Sequence, residues 1–143
     1  MFYGEYEHTV DEKNRVTLPA RFQHALANGV VLAKGIEHNI DVFPSESWND
    51  SVARVAELDS FTHEAREMKR HVFAGAVQTE LDRQGRVLVP PRLAERAGLG
   101  KEVVVAGVHD HLEIWDRSEW AARQTAMEGS AGDVAERLAT KRG

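Results

Sequence analysis

Residues 11–19 read DEKNRVTLP and residues 82–90 read DRQGRVLVP, so one nine-residue pattern occurs in each half of this chain of 143 residues. Aspartate, arginine, valine and proline stand at the same places in both stretches. The residue before the arginine is asparagine in the first copy and glycine in the second, and both residue types tolerate a positive φ. Proline closes each stretch and has no N–H to donate to a β-ladder. The pattern therefore predicts a strand, a tight turn and a short second strand.

The repeat extends well beyond these nine residues. With a shift of 71 residues, residues 4–22 match residues 75–93 at six of 19 positions, and apolar residues face each other at three more. One inserted residue changes the shift to 72, after which Trp48 falls on Trp120. A repeated order of features indicates two copies of one supersecondary unit.

Each unit is predicted to contain four strands and a short helix, followed by a closing helix. The elements and their two ranges are a first strand (2–10, 72–81), a strand after the turn (15–18, 86–89), a short helix (20–27, 92–97) and two more strands (30–34 with 40–43, 102–106 with 111–115). Half of the chain is too short to bury a sufficient core by itself. The two units are therefore predicted to interlock into one barrel-like α+β domain with a mostly β core.

These patterns divide the chain into four parts. They are a first repeat (1–58), a linker helix (59–71), a second repeat (72–128) and a flexible tail (129–143). Apolar residues at helical spacing predict the linker helix. A composition rich in glycine, alanine and charged residues predicts the tail.

Composition excludes several classes of protein. The chain has no cysteine, which removes disulfides and thiolate metal sites. It has no apolar run of the roughly 20 residues that a membrane span needs, and its N-terminus lacks the features of a secretory signal, so a cytoplasmic location is expected. Residues 37–80 hold nine acidic and four basic residues and account for the net charge of −5, whereas residues 82–96 hold four arginines and two acidic residues. An acidic chain can still present a local basic face.

The basic residues of the two motifs are suited to nucleic acid. Arg15 and Arg86 each follow a turn, and a planar guanidinium fits the O6 and N7 atoms of guanine or a phosphate group. Lys13 and Arg83 add positive charge at the same turns. We therefore expect these four side chains to contact DNA.

The remaining motif residues are expected to shape the turns. Asp11 and Asp82 precede the arginines by four residues, and each either orients its arginine or caps the turn backbone. Asn14 and Gly85 supply the positive φ. The alternative is that each Asp–Arg pair is only a turn-closing ion pair, which contributes about 0–1 kcal/mol when exposed.

The paired motifs, with the flanking stretches 4–6, 19–22 and 91–93, resemble the Asp-x-x-x-Arg motifs of the MraZ family over residues 1 to about 128. The resemblance implies the fold of the wider AbrB-like class, an interlocked swapped-hairpin (double-split) β-barrel with short helices packed around it. It also implies a nucleoid-associated regulator of the division and cell-wall gene cluster, which binds direct repeats in double-stranded promoter DNA as a ring-shaped homo-oligomer. Asn14 departs from the glycine that is usual at its position in the family.

Other activities were weighed against DNA binding. The alternative from a different class is a protein-interaction module, antitoxin-like or a scaffold, whose acidic segment 37–80 faces a basic protein. The sequence has no Walker loop, dinucleotide fingerprint or Gly-x-Ser-x-Gly context, so no enzyme, catalytic residue, cofactor or small-molecule substrate is predicted. The stretch His109-Asp110-His111 has a metal-like composition, but it lies near a predicted hairpin turn and no metal site is predicted.

Two further groups of residues leave alternatives open. Arg21 and Arg92 match across the repeat on predicted helices, where a solvated face, a salt bridge and a phosphate contact are all compatible with the pattern. Trp48, Trp115 and Trp120 are interpreted as core or subunit-interface residues rather than as stacking platforms for bases.

Overall fold

The computed structural model describes residues 1–142, which form an α+β fold of eight strands and several short helices with one long C-terminal helix. The strands are β1 (Phe2–Thr9), β2 (Arg15–Thr17), β3 (Val30–Lys34), β4 (Ile40–Pro44), β5 (Val77–Thr79), β6 (Arg86–Leu88), β7 (Glu102–His109) and β8 (Leu112–Asp116). The helices are α1 (Ala20–Gln23), α2 (Trp48–Ser51), α3 (Ala53–Ala56), α4 (His63–Lys69), α5 (Pro91–Arg96) and α6 (Arg117–Arg142). Turns of 3₁₀ helix occupy His24–Leu26 and Ser45–Ser47, and a π-helical turn occupies Arg70–Ala74.

The two repeats exchange strands. Six strands pair in the order β1-β7-β8-β4-β3-β5, all antiparallel, while β2 and β6 form a separate pair. The first strand of each repeat lies beside the third strand of the other, because β1 pairs with β7 and β5 pairs with β3. Strands of one repeat therefore form hydrogen-bonded pairs with strands of the other.

The strand pairing does not form a closed barrel. Within residues 1–142 the six-stranded sheet is open, with β1 at one edge and β5 at the other. The α+β class expected from the sequence is confirmed at this level.

The core lies between the two sheets and draws on both repeats. Its fully buried large side chains are Leu18, Leu26, Leu32, Ile40, Leu112, Ile114, Val16, Val30, Val42, Val87, Val89 and Val103. Burying one such side chain stabilises the fold by roughly 1.5–3 kcal/mol. Because neither repeat contains the whole set, the two halves depend on each other for a core.

The largest departure from the sequence prediction is the first strand of the second repeat. The range 72–81 is predicted as a strand, but helix α4 continues through the π-helical turn Arg70–Ala74, and β5 spans only Val77–Thr79. Val72 is buried on this helix, as is Ala65. Val72 continues the helical spacing of the apolar residues before it, so the helix extends through this residue. The strand prediction for 72–76 is therefore wrong.

Smaller departures concern the other helices. Thr62 is the N-cap of α4, and its Oγ1 accepts a hydrogen bond from the N–H of Ala65 at 3.2 Å. Phe61 is one of the apolar residues whose helical spacing predicts the linker helix, for which a core or interface position is expected, but it is 94% exposed. The range 129–143 is expected as a flexible tail; its residues 129–142 continue α6, with 129–141 mostly exposed, and residue 143 lies outside the described residues. Among residues 1–142, no helix is both long enough and apolar enough to cross a bilayer.

Candidate nucleic-acid interface

The first turn is held together by the carboxylate of Asp11. Its Oδ1 accepts hydrogen bonds from the backbone N–H groups of Lys13 and Arg15, both at 2.9 Å, and its Oδ2 accepts one from Arg15 Nε at 2.7 Å. The N–H of Asn14 donates to the carbonyl of Asp11 at 3.0 Å, and Asn14 has a φ of 60°. One side chain therefore caps the turn and also fixes the guanidinium of Arg15.

The second turn repeats this geometry. The Oδ1 atom of Asp82 accepts from the N–H groups of Gln84 and Arg86 at 2.9 Å, and its Oδ2 accepts from Arg86 Nε at 2.6 Å. The N–H of Gly85 donates to the Asp82 carbonyl at 3.0 Å, and its φ is 74°. Both roles considered for the aspartates, capping and orienting, are present in each copy.

The two motifs join into one ribbon. The register of β2 against β6 is Arg15↔Leu88, Val16↔Val87 and Thr17↔Arg86. The second strand of each motif thus pairs with the other repeat, and in the first motif a single bridge between Val10 and Val16 joins it to its own first strand. The short strand that the sequence predicts after each turn therefore pairs with its counterpart from the other half.

Each turn is also braced by the opposite repeat. The N–H of Leu18 donates to the carbonyl of Gly85 at 3.0 Å, and the N–H of Val89 donates to the carbonyl of Asn14 at 2.8 Å. These two bonds are equivalent under the exchange of repeats. The strands β2 and β6 with turns 11–15 and 82–86, here called the two-motif ribbon, are therefore one structural unit.

Alternate residues of this ribbon face outward. Val16 and Val87 are fully buried, so their neighbours point to the other face of the pleated strands. The side chains of Arg15 and Arg86 are 28% and 26% exposed. Within residues 1–142 no hydrogen bond engages the terminal Nη groups of either arginine. Each guanidinium is therefore bound to its aspartate through Nε.

The hydrogen bonds at the two turns lower the pKa of both aspartates. The backbone N–H of Arg15 is the largest cause that lowers the pKa of Asp11 from 3.8, and its side chain and the N–H of Lys13 add to the effect. The backbone N–H of Arg86 lowers the pKa of Asp82 in the same way. Lys13 is exposed, as is its counterpart of the second turn, Arg83.

A glutamine that sequence reasoning missed explains the difference between the two turns. The Gln23 side chain donates from Nε2 to the carbonyl of Leu18 at 2.9 Å and covers Gly85 so closely that a Cβ at residue 85 would overlap its amide. A shift of 71 residues places Ala94 at the position equivalent to Gln23. The short side chain of alanine leaves room at the first turn, where Asn14 stands and is exposed.

Two arginines outside the turns differ in their surroundings. The guanidinium of Arg21 lies 4.3 Å from the centre of the Tyr3 ring, and its Nη1 donates to Tyr6 Oη at 3.0 Å. Arg21 therefore packs on β1 while staying exposed, which agrees with the solvated face among the three roles left open by the sequence. Arg92 is exposed on α5.

The tryptophans and histidines take structural positions. Trp115 is buried, and its ring centre lies 6.0 Å from that of Trp120. Trp48 packs edge-on against Phe43, with ring centres 5.1 Å apart. These two pairs are equivalent between the repeats. From the stretch 109–111, the structure brings His111 toward β4 and leaves His109 exposed at the end of β7.

Comparison with known proteins agrees with the duplicated motif. A family model described as "MraZ protein, putative antitoxin-like" matches twice, at residues 1–71 and 72–142. The chain is 42% identical over 142 residues to the protein named transcriptional regulator MraZ of Roseiflexus castenholzii, which covers 99% of both chains. It is 41% identical over 140 residues to the protein of the same name from Thermomicrobium roseum, covering 98% of this chain and 99% of that one. It is 45% identical over 120 residues to that of Moorella thermoacetica, covering 84% of each. The resemblance drawn from the paired motifs is confirmed, and this chain belongs to the MraZ family.

Proposed function

We propose that this protein is a sequence-specific, double-stranded DNA-binding transcriptional regulator and that the two-motif ribbon is its DNA-binding surface. The observation that carries the proposal is the pair of arginines, each fixed through Nε by an aspartate, on the outer face of one β-ribbon. The relatives with about 40% identity are named transcriptional regulators.

The dimensions of the ribbon suit the major groove. A two-stranded β-ribbon enters this groove, and an arginine reads guanine through its O6 and N7 atoms. Arg15 and Arg86 are diagonal in the register, two residues apart along the strands. From the usual rise and strand spacing, their Cα atoms are roughly 8 Å apart. That separation corresponds to about two to three base-pair steps, so one ribbon contacts a short stretch of sequence.

The ribbon arrangement favours specific over purely electrostatic binding. An ion pair with aspartate cancels much of the charge of each arginine but fixes the plane of its guanidinium, which favours a directional contact with a base. Lys13 and Arg83 at the turns are exposed and suited to phosphate contacts, which position the ribbon on the duplex.

A single ribbon with so few contacts binds weakly, so several copies are needed. We propose a ring-shaped homo-oligomer that engages direct repeats in a promoter, where matched spacing raises avidity by roughly 10²–10⁴. The proposal includes the promoter of the division and cell-wall gene cluster as the target, a location on the nucleoid in the cytoplasm, and an interlocked swapped-hairpin barrel as the monomer fold.

Fluorescence anisotropy with the full chain tests this proposal. Labelled duplex from the chain's own upstream promoter is compared with a scrambled duplex across a series of salt concentrations. We expect tighter binding to the promoter, with affinity falling linearly in log–log form as salt rises, because phosphate contacts release counterions.

The competing function is a protein-interaction module. The acidic segment 37–80 supports it, and it includes Phe61, which is 94% exposed. A folded, oligomeric protein that binds neither duplex at low salt, but captures one protein partner in stoichiometric amount, would support this function and contradict DNA binding.

A further inference from the structure

Three side chains with metal-binding atoms meet where the two repeats join. The pairing of β4 with β8 is short, and Asp41 stands directly opposite Glu113 in its centre. Like charges at directly opposed positions of a β-sheet are destabilising. His111, just before β8, closes the group, and the side chains of Asp41 and His111 are each 17% exposed while Glu113 is 23% exposed.

The distances in this cluster fit a small divalent cation. The Nε2 atom of His111 lies 3.5 Å from Asp41 Oδ1 and 3.9 Å from Glu113 Oε2, and one donor atom from each residue lies within 4.8 Å of the other two. Zinc bound at about 2.0–2.2 Å in tetrahedral geometry separates its donor atoms by roughly 3.3–3.5 Å. The two distances from His111 Nε2 lie within roughly 0.6 Å of this spacing. The two carboxylate oxygens, which lie within 4.8 Å of each other, close onto the ion when it binds.

The imidazole is already oriented for such an ion. The Nδ1 atom of His111 lies 2.7 Å from Asp110 Oδ1, and the ring stacks on Phe43 with centres 4.5 Å apart and planes 18° apart. A carboxylate on one ring nitrogen fixes the tautomer that leaves the other nitrogen free for a metal. Here the other nitrogen is Nε2, which points into the cluster.

Both carboxylates have partners outside the group as well. Trp115 Nε1 donates to Glu113 Oε1 at 3.0 Å, so Oε2 is the oxygen that faces His111. Asn39 Nδ2 donates to Asp41 Oδ1 at 2.8 Å. Partners of this kind orient the ligands of metal sites and are a regular part of their construction.

We propose that Asp41, His111 and Glu113 bind one Zn²⁺ ion, with a fourth position open to water. One nitrogen and two carboxylate oxygens suit zinc and the neighbouring divalent transition metals. The ion neutralises the opposed carboxylates and links β4 of the first repeat to β8 of the second. Its role is to stabilise the junction between the repeats, independently of whether the ribbon binds DNA.

The internal repeat supplies a built-in control. A shift of 72 residues places Asn39 at the position equivalent to His111, and Asp41 at the position equivalent to Glu113. Asparagine is thus compatible with the local fold but is a poor ligand, since zinc in proteins is bound by Cys, His, Asp and Glu side chains rather than by amides. The cluster accordingly offers one site in each chain, and His111→Asn removes the nitrogen ligand while inserting the residue that the other repeat uses.

The test is isothermal titration of tag-free full chain, freed of metal by chelator and dialysis, with Zn²⁺ at neutral pH. We expect one saturable site per chain, a rise in melting temperature on loading, and a tetrahedral absorption spectrum when Co²⁺ replaces Zn²⁺. His111→Asn should weaken binding at least tenfold. The matched control is His109→Asn, which changes an exposed histidine two positions away and should bind as the wild type does.

Two results would overturn the site. One is a wild type with no saturable Zn²⁺ binding, which would leave His111 as the cation that offsets the two carboxylates. The other is His111→Asn with unchanged affinity and unchanged thermal response. If His111→Asn unfolds, Asp110→Ala serves as the second variant, because it keeps all three ligands and should weaken Zn²⁺ binding through the lost hydrogen bond alone.

Discussion

A glycine-to-asparagine exchange at residue 85 tests how the second turn is built. Asparagine accepts the φ of 74°, so the backbone is not the obstacle. The added side chain instead overlaps the amide of Gln23 and displaces it from the carbonyl of Leu18. A lost hydrogen bond of this kind costs about 0.5–1.5 kcal/mol, and crowding in a packed site adds to it. We expect Gly85→Asn to lower the free energy of unfolding by about 1–3 kcal/mol.

The double variant Gly85→Asn/Gln23→Ala isolates that cause. It gives the second turn the combination that the first turn already has, Asn14 with Ala94. Urea denaturation of both single variants and the double variant forms a mutant cycle. We expect the double variant to be about as stable as Gln23→Ala alone, which corresponds to a coupling of roughly 1–3 kcal/mol, the whole cost of Gly85→Asn. The reverse exchange, Asn14→Gly, serves as the control and should change stability little. Additive costs in the cycle would refute the explanation by crowding.

Two further predictions concern the turn and the junction. NMR titration should give Asp11 a carboxyl pKa below 3.8, so its contribution to stability is present above pH 3.8 and is lost as pH falls through the lowered value. In Arg15→Ala that pKa should rise only in part, because the backbone N–H remains; a pKa at or above 3.8 in the wild type would contradict the capping role. Arg96 donates to the carbonyl of Gly35 at 2.9 Å, so Arg96→Ala should lower the free energy of unfolding by about 1–3 kcal/mol in denaturant melts. Arg92 is exposed, so Arg92→Ala should change the free energy of unfolding by less than about 0.5 kcal/mol. Equal effects of Arg96→Ala and Arg92→Ala would contradict a stabilising role for the hydrogen bond between Arg96 and Gly35.

The turns were predictable because their structure is local. Each depends on an aspartate, a residue that accepts positive φ and an arginine within five positions of each other. The same holds for the ends of the short helices at Gly29 and Gly98, which both have positive φ. Local signals of this kind can be read from one sequence.

The partners of the strands could not be read in the same way. The pairing of β2 with β6 and of β1 with β7 joins residues about 70 to 107 positions apart, and nothing in the composition of a short strand names its partner. The interlocking was inferred from the size of half a chain, not from pairing rules. As a result, the residues of each motif predict a strand, a tight turn and a second strand, but not the pairing of β2 with β6.

Two other features depend on neighbours that the pattern does not reveal. The position of Val72 is compatible with the apolar spacing of a helix as well as with a strand. It is helical because α4 continues through the turn Arg70–Ala74. His111 was judged by the residues next to it in sequence, whereas its chemistry depends on Asp41, 70 residues away on β4. The equivalence of residues 41 and 113 under the repeat was the available signal for that cluster.

The most direct test of the two-motif ribbon compares promoter binding by Arg15→Ala, Arg86→Ala and the exposed control Arg54→Ala in one anisotropy series. Gel filtration and melting temperature establish that each variant keeps the wild-type assembly and fold. If both motifs contact DNA, each motif variant loses at least tenfold in affinity, which corresponds to about 1.4 kcal/mol or more, while Arg54→Ala binds as the wild type does. Unchanged promoter affinity in folded Arg15→Ala and Arg86→Ala would contradict the central claim that this ribbon reads DNA.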